Sequence, residues 1–183
     1  GDALMGRINY RLMDRYLLTL SLRRDGYSAF GGKRPHAWFP AASAGWRISE
    51  ENFFTSDWLN NLKLRLSYGV NGNRSIGGYA ALATLGTTKY IYGSSSYSGI
   101  YASTMANPDL KWERTASYNI GLDFGMFSGR LSGSLNAYYQ TTDDLLLNRS
   151  LPQIVGYDDI MANLGQVDNR GLELEMRSVN VDI

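Results

Sequence analysis

Three pairs of adjacent carboxylates are the first candidates for chemistry in this chain: Glu50-Glu51, Asp143-Asp144 and Asp158-Asp159. A glycosidase needs two carboxyl groups about 5–9 Å apart across a cleft. Neighbouring residues of a strand point to opposite faces, and these pairs fall in segments that we predict to be loops. We therefore interpret them as solvated loop charges and not as catalytic dyads.

Other residue types give no enzyme or metal site. The chain has no Cys and a single His, His36, which lies in a predicted loop. Zinc sites and nucleophilic triads need more ligands or partners than this. The Gly31-Gly32-Lys33 stretch lacks the spacing and the Ser/Thr of a phosphate-binding loop, and it predicts a loop tip. We predict no catalytic residue, no metal, no cofactor and no enzymatic activity.

Five tyrosines in one long connection are the candidate ligand contacts. They stand among Gly and Ser as Tyr79, Tyr90, Tyr92, Tyr97 and Tyr101. Rigid aromatic rings in adaptable Ser/Gly segments make good contact surfaces. These rings could stack on sugars or dock a partner protein; equally, they could pack the connection against its neighbours or extend an aromatic girdle.

Seven segments that alternate apolar and polar residues must position these groups. They are predicted as strands at 4–11, 16–23, 37–48, 62–70, 115–125, 130–141 and 171–177. Successive strand residues face opposite sides, so each strand has one apolar and one polar face. A strand of eleven residues, tilted by about 45°, spans roughly the 25 Å apolar band of a transmembrane barrel. Pro40 makes the third strand the least regular, because proline cannot donate to a ladder.

The connections between these strands alternate in length. Those at 12–15, 49–61 and 126–129 are short or moderate, whereas those at 24–36, 71–114 and 142–170 are longer. Outer-membrane barrels have short periplasmic turns and long outer loops, so the first three connections are predicted to face the periplasm. Long structureless loops in a compact soluble domain would instead count against the strand assignment.

Charged residues occupy the polar faces of the predicted strands. The candidates for a water-filled lumen are Arg47, Lys63, Arg65, Asp123 and Glu173. They could line a transport path or pair across strands, and a solvated soluble sheet would show the same pattern. On the apolar faces, aromatic residues near the strand ends suit either an interfacial girdle or a sandwich core: Tyr10, Tyr16, Trp46, Tyr68, Tyr118 and Phe124.

Composition narrows the function classes. The 183 residues carry a formal net charge of +1, which gives no reason to expect nucleic acid as a partner. There are 13 Tyr, 20 Gly and only 4 Pro, a balance that favours strands and turns. From the residues alone, three readings stay open: a transporter wall, a soluble all-β carbohydrate-binding domain, and a passive porin or structural barrel.

Six sequence blocks resemble TonB-linked outer-membrane transporters of the SusC/RagA type. They are YLLTLSLRRDG at 16–26, FP with SAGWRI within 39–48, LKLRLSYGVNGN at 62–73, NPDLKWE at 107–113, YYQTTDDLL at 138–146 and NLGQVDNRGLE at 163–173. The blocks cover nearly the whole chain in the family's order, and together they are specific.

The resemblance implies an all-β, antiparallel, up-and-down transmembrane barrel segment in the bacterial outer membrane. Residues 1–183 would be a partial barrel domain, about seven strands from the later half of a barrel of about 22, without a plug domain. The family imports glycan oligosaccharides or peptides, with a SusD-type surface lipoprotein as lid and with TonB acting through the plug. The expected surroundings are membrane lipid and lipopolysaccharide.

Overall fold

A computed structural model describes residues 1–30 and 33–180. Within them the regular structure is eleven strands and four short 3₁₀ turns. The strands are β1 (Asp2–Leu12), β2 (Tyr16–Gly26), β3 (His36–Arg47), β4 (Leu59–Asn73), β5 (Thr84–Tyr92), β6 (Ser95–Met105), β7 (Glu113–Met126), β8 (Leu131–Asp143), β9 (Leu146–Ser150), β10 (Asp159–Asn163) and β11 (Gln166–Ser178). No helix of this described part is long and apolar enough to cross a membrane.

The seven predicted strands form one antiparallel sheet in the order β1-β2-β3-β4-β7-β8-β11. Each observed strand overlaps its prediction, and most run further at one or both ends. β4, for example, extends from Leu59 to Asn73, where alternation predicted 62–70. His36 is the first residue of β3 and does not lie in a loop. The glycines of the predicted loop tip, Gly31 and Gly32, lie outside the described residues.

The two faces of this sheet differ row by row. One row across the ladder is entirely apolar: Tyr10, Leu18, Ala44, Leu66, Ile120, Ala137 and Leu172. The neighbouring row, on the other face, starts with Asn9, Thr19, Ser43, Ser67 and Asn119. We call these faces the apolar face and the polar face. The apolar face is uncovered, with Leu18 41% and Ile120 56% exposed.

The apolar band shifts along the strands from one side of the sheet to the other. On β2 it ends at Leu22, and Arg24 follows on the same face. On β11 the apolar band ends at Leu172, and Arg170 follows. Arg170 lies in the ladder row of Leu20, four rows closer to the turns than Arg24. A horizontal band crosses tilted strands in this stepwise way, so the pattern is that of strands inclined to a barrel axis.

The three connections predicted to share one end of the sheet do so; we call it the turn end. They include the two shortest, between β1 and β2 and between β7 and β8, and the moderate one between β3 and β4. The tightest one joins β1 to β2, where Met13 and Asp14 adopt φ of 50° and 54° and the Arg15 amide donates to the Leu12 carbonyl at 3.1 Å. The two longest connections, between β4 and β7 and between β8 and β11, lie at the opposite end, the loop end, with the connection between β2 and β3.

The long connections are not structureless, which corrects the sequence-based expectation. They contain a second sheet of four strands in the order β5-β6-β10-β9. β9 and β10 have five residues each, too few for alternation to stand out from a polar loop. Asp143 and Asp159, predicted to lie in loops, are therefore strand residues.

The buried core sits where β3 separates from β4 at the loop end. β3 pairs with β2 along its whole length but with β4 only from Ala41 onward, directly after Pro40. Proline has no N–H to give to a second ladder. The buried core cluster includes residues of β3 and β4 at this gap and of the long connections: Phe30, Phe39, Val70, Ala81, Leu110 and Trp112.

Candidate functional site

The outer hairpin formed by β5 and β6 carries four of the five candidate tyrosines. Its two-residue turn begins at Gly93, whose φ of 65° is the conformation that glycine adopts at least cost. Tyr90 pairs with Tyr97 across the ladder, and their rings stack with centroids 5.8 Å apart and planes 27° apart. The strand register therefore places Tyr90 and Tyr97, two tyrosines of the sequence cluster, in an ordered aromatic pair.

All four of these tyrosines lie on one face of the hairpin. Tyr101 pairs with Gly86, and residues 86, 90 and 92 share one side of β5. A Cβ at Gly86 would lie 2.6 Å from the ring of Tyr101, so the ring rests directly on the backbone. The side chains are 40–77% exposed, which leaves ring surface open for contact. We call Tyr90, Tyr92, Tyr97 and Tyr101 the tyrosine platform.

Tyr79 does not belong to the platform. It lies in the connection between β4 and β5 and is 74% exposed. The structure thus brings together four of the five tyrosines, and it places the fifth apart from the hairpin.

The NPDLKWE segment at 107–113 holds the loop-end structure together, a role that sequence reasoning missed. The Asn107 side chain donates to the Met161 carbonyl at 2.8 Å and accepts from the Asp109 amide at 3.2 Å. Leu110 and Trp112 are buried in the core. Glu113 accepts hydrogen bonds from the Asn73 side chain at 3.0 Å and from the Leu146 amide at 3.1 Å.

Asn163 ties this segment to the connection between β8 and β11. Its side chain accepts from the Lys111 amide at 2.9 Å, and it donates to the carbonyls of Lys111 and Asp144 at 2.8 and 2.9 Å. Lys111 also pairs with the Asp144 carboxylate at 2.7 Å. These contacts tie the two long connections together, and β6 of the platform hairpin also pairs with β10. The available signal was the set of polar residues in the sequence blocks at 107–113, 138–146 and 163–173, which the alternation of apolar and polar residues does not explain.

On the polar face, two predicted lumen residues form an ion pair. The Arg65 guanidinium donates to both carboxylate oxygens of Asp123, at 2.9 and 2.7 Å, and to Asn136 at 2.9 Å. Gly121 leaves room for this arrangement, because a Cβ there would lie 2.9 Å from the Arg65 Cζ. The bidentate geometry fixes the arginine across three strands.

The other predicted lumen residues share the face with this pair. Lys63 and Arg65 line a pocket of about 340 Å³ between β2 and β7, together with Thr19, Ser43 and Asn119. Arg47 faces Lys63 across the ladder, and Glu173 faces Asn136. Among the residues that the structure describes, no three acidic or His side chains are grouped to hold a metal ion.

A polar anchor lies at the turn end of the apolar face. The Tyr16 hydroxyl and the Trp46 indole both donate to Glu51 Oε1, at 2.6 and 2.9 Å, and Arg15 donates to Oε2 at 3.2 Å. These hydrogen bonds, first the one from Tyr16, lower the pKa of the Glu51 carboxyl below its ordinary value. The Glu51 side chain is only 10% exposed, which corrects its interpretation as a solvated loop charge.

The comparison with known proteins decides the family. The family described as "TonB dependent receptor-like, beta-barrel" matches residues 2–181. The chain belongs to the TonB-dependent receptor β-barrel family. A TonB-dependent receptor of Formosa agariphila is 45% identical over 176 residues, covering 96% of this chain and 17% of that protein. The TonB-dependent receptor SusC of Bacteroides thetaiotaomicron is 37% identical over 179 residues, covering 94% of this chain and 18% of that protein.

A solved structure agrees with this assignment. The RagAB peptide importer in its "closed-closed" state matches with a TM-score of 0.87 and 32% identity, over 99% of this chain and 20% of that chain. This TonB-dependent receptor chain thus spans about a fifth of the proteins it matches. Its family places it in the bacterial outer membrane, as predicted. The proteins it matches are named as receptors and a peptide importer.

Proposed function

We propose that the chain supplies seven neighbouring wall strands to a SusC/RagA-type transporter that actively imports oligosaccharides or peptides. The observation that carries this proposal is the division of one sheet into an uncovered apolar face and a polar, charged face. A wall between lipid and water needs an uncovered apolar face and a polar face on strands of this length. A soluble carbohydrate-binding domain would have to cover the apolar face with a second layer.

The seven strands would be part of a larger closed barrel. In the described residues, β1 and β11 each pair on one side only, so the sheet has two open edges. Open edges do not occur in the hydrocarbon region, because their N–H and C=O groups would lack partners. We infer that neighbouring strands, a plug and the TonB contact belong to the full-length transporter, with residues 1–183 as a partial barrel domain.

The tyrosine platform would be the contact surface for the imported ligand or for a SusD-type surface lipoprotein. It lies at the loop end, which is the outer end if the turns face the periplasm. Its rings offer flat apolar area of the kind that stacks on sugar rings or packs against peptide side chains. Arg47, Lys63, Arg65, Asp123 and Glu173 would face the transport path on the inner side of the wall.

The platform is tested in the full-length transporter, expressed in a host that lacks its own copy. The variant replaces Tyr90 and Tyr97 with Ser, and the matched control replaces Ile91 and Ile100, on the opposite face of the same hairpin, with Ser. Growth is measured on oligosaccharides and on oligopeptides as sole nutrient, and lipoprotein co-purification is measured in parallel. We expect the tyrosine variant alone to lose growth on one nutrient class or to lose the lipoprotein.

Dependence on energy separates active import from a passive porin. Collapse of the inner-membrane proton gradient should stop uptake of the nutrient that the wild-type transporter supports. Uptake that continues unchanged would replace the proposed mechanism with passive diffusion. Equal growth of the tyrosine and isoleucine variants would remove the platform from the ligand path.

A further inference from the structure

A pocket of about 430 Å³ opens at the loop end of the sheet, between the beginning of β3 and the beginning of β7. It lies beside the gap where Pro40 ends the pairing of β3 with β4. The indole N–H of Trp112 donates to the Pro35 carbonyl at 3.2 Å and closes the pocket floor against the buried core. Part of the pocket wall is therefore strand and core structure, and Lys33 and Arg34 line it from the connection between β2 and β3.

Basic side chains dominate the lining of this pocket. They are Lys33, Arg34, Lys111 and Arg114. The two lysines have carboxylate partners, Asp109 at 3.0 Å and Asp144 at 2.7 Å. Among the described residues, no carboxylate lies within ion-pair distance of Arg34 or Arg114. Two guanidinium groups at one pocket thus keep their capacity to bind an anion.

The pocket opens on the apolar face, at the upper boundary of the apolar band. Arg114 shares this face with Ala116 and Tyr118, and it is exposed. Trp38 lines the same pocket and is 51% exposed, with the Arg24 guanidinium 6.0 Å from its ring centroid. Exposed tryptophan and arginine beside an apolar band mark the level of lipid headgroups.

The height of this boundary agrees with a membrane. The Tyr16–Trp46 pair at the turn end and the Arg24–Trp38 pair are eight residues apart on both strands. At about 3.3 Å per residue and a tilt of 35–45°, they are about 20 Å apart along the barrel axis. This is close to the apolar band of about 25 Å in outer-membrane barrels. The basic pocket therefore lies where the headgroups of the outer leaflet begin.

We propose that this pocket binds a phosphate group of an outer-leaflet lipid of the lipid A class. Arg34 and Arg114 would bind the phosphate oxygens, because guanidinium groups match them with paired hydrogen bonds. Trp38 would pack against the lipid's sugar and acyl region, which fits its position on the apolar face. The proposal rests on the placement of this sheet in a barrel wall. It assigns the pocket a structural lipid and leaves the imported ligand to the platform.

The experiment uses purified, delipidated full-length transporter in detergent. Native mass spectrometry measures binding of phosphorylated lipid A and of the same lipid after removal of its phosphates. For the wild-type protein we expect at least about ten-fold tighter binding of the phosphorylated form, since charge-assisted hydrogen bonds are the strong ones. The combined Arg34→Gln and Arg114→Gln variant should lose this preference. The control, Arg7→Gln on the polar face of β1, should keep it.

Each alternative result overturns the proposal. Equal binding of the two lipids by the wild-type protein would mean that the protein holds the lipid through apolar contacts only. This comparison needs no variant. An unchanged preference in the double variant would place the phosphate elsewhere. Full competition by inorganic phosphate would make the site one for a free anion.

Two parallel measurements on the same proteins distinguish loss of the lipid site from misfolding and from loss of transport. Gel mobility before and after heating shows whether each variant forms a folded barrel. Nutrient uptake tests the transport proposal separately. Absence of nutrient uptake by the wild-type protein, with a retained lipid preference, would contradict the import proposal and leave the lipid site standing.

Discussion

Glu51 shows how one side chain can anchor the edge of the apolar band. Tyr16 and Trp46 present rings to the apolar face, and both donate to the same carboxylate oxygen. Their rings stack with centroids 6.4 Å apart. Rings that are apolar at one end and hydrogen-bonded at the other suit the boundary between hydrocarbon and water.

The anchor predicts a defined dependence of stability on pH. Because the pKa of Glu51 is lowered in the folded protein, its contribution is complete above the ordinary glutamate pKa of about 4.3. It is lost as the pH falls through the lowered value. At pH 7 the Glu51→Gln variant of the full-length transporter should unfold at lower urea concentration than wild type, and the difference should shrink below pH 4.

The comparison is made by urea titration of the purified transporter in lipid vesicles at several pH values. Glu50→Gln, at the neighbouring exposed residue, serves as the control and should match wild type throughout. A Glu51→Gln effect that is equal at pH 7 and at pH 3 would show that charge on Glu51 is not what stabilises the turn end.

The alternation of rows makes the orientation of each strand testable with neighbouring residues. Leu20 lies on the apolar face midway between Tyr16 and Arg24, and Thr19 lies on the polar face of the same strand at nearly the same depth. Arginine on the lipid side near the bilayer midplane costs about 2–4 kcal/mol, whereas on the lumen side it stays hydrated. We expect Leu20→Arg to reduce the folded barrel in the outer membrane strongly, and Thr19→Arg to leave it nearly unchanged.

The folded fraction is measured by the mobility of unheated outer-membrane samples on denaturing gels. Equal assembly of the two variants would contradict the lipid-facing assignment of the apolar face. Strong loss in both would instead indicate a sheet packed on its two sides.

Alternation predicted the seven wall strands because successive residues of each strand face lipid and water in turn. Alternation did not predict the parts of the strands that extend beyond the apolar band. The loop-end part of β4 holds Asn71 and Asn73, and Gly72 carries no side chain to report a face. The tyrosine platform was visible only as composition, since the stacking of Tyr90 on Tyr97 depends on the register that Gly93 sets.

The polar motifs were harder still to interpret from sequence. Asn163 contacts Lys111 across 52 residues, and Glu51 contacts Tyr16 across 35. No local pattern encodes such pairings. A resemblance could flag these residues as part of a motif, but it could not say which backbone groups they satisfy.

The Asn163 contacts connect two long segments and so predict a local effect. Asn163→Ala would leave the Lys111 amide and two carbonyls without their partner, at a cost of about 2 kcal/mol to the loop-end structure. Amide exchange in residues 107–112 and 144–165 should become faster in the full-length transporter, while exchange in β2 and β7 stays slow. Asn148→Ala, at an exposed residue of β9, should leave all of these rates unchanged.

The molecule as a whole presents a large apolar surface and open edges to its surroundings. Leu172, Leu174 and Met176 on β11 are 78%, 64% and 57% exposed, and Leu4 and Ile8 on β1 are nearly as accessible at 68% and 69%. Exposed apolar patches of this extent, beside unpaired strand edges, are aggregation sites in water. Expressed by itself in plain buffer, the 183-residue chain should therefore sediment as large aggregates. Sedimentation velocity decides the matter, and a monodisperse monomer without detergent would mean that the apolar face finds cover within the chain itself.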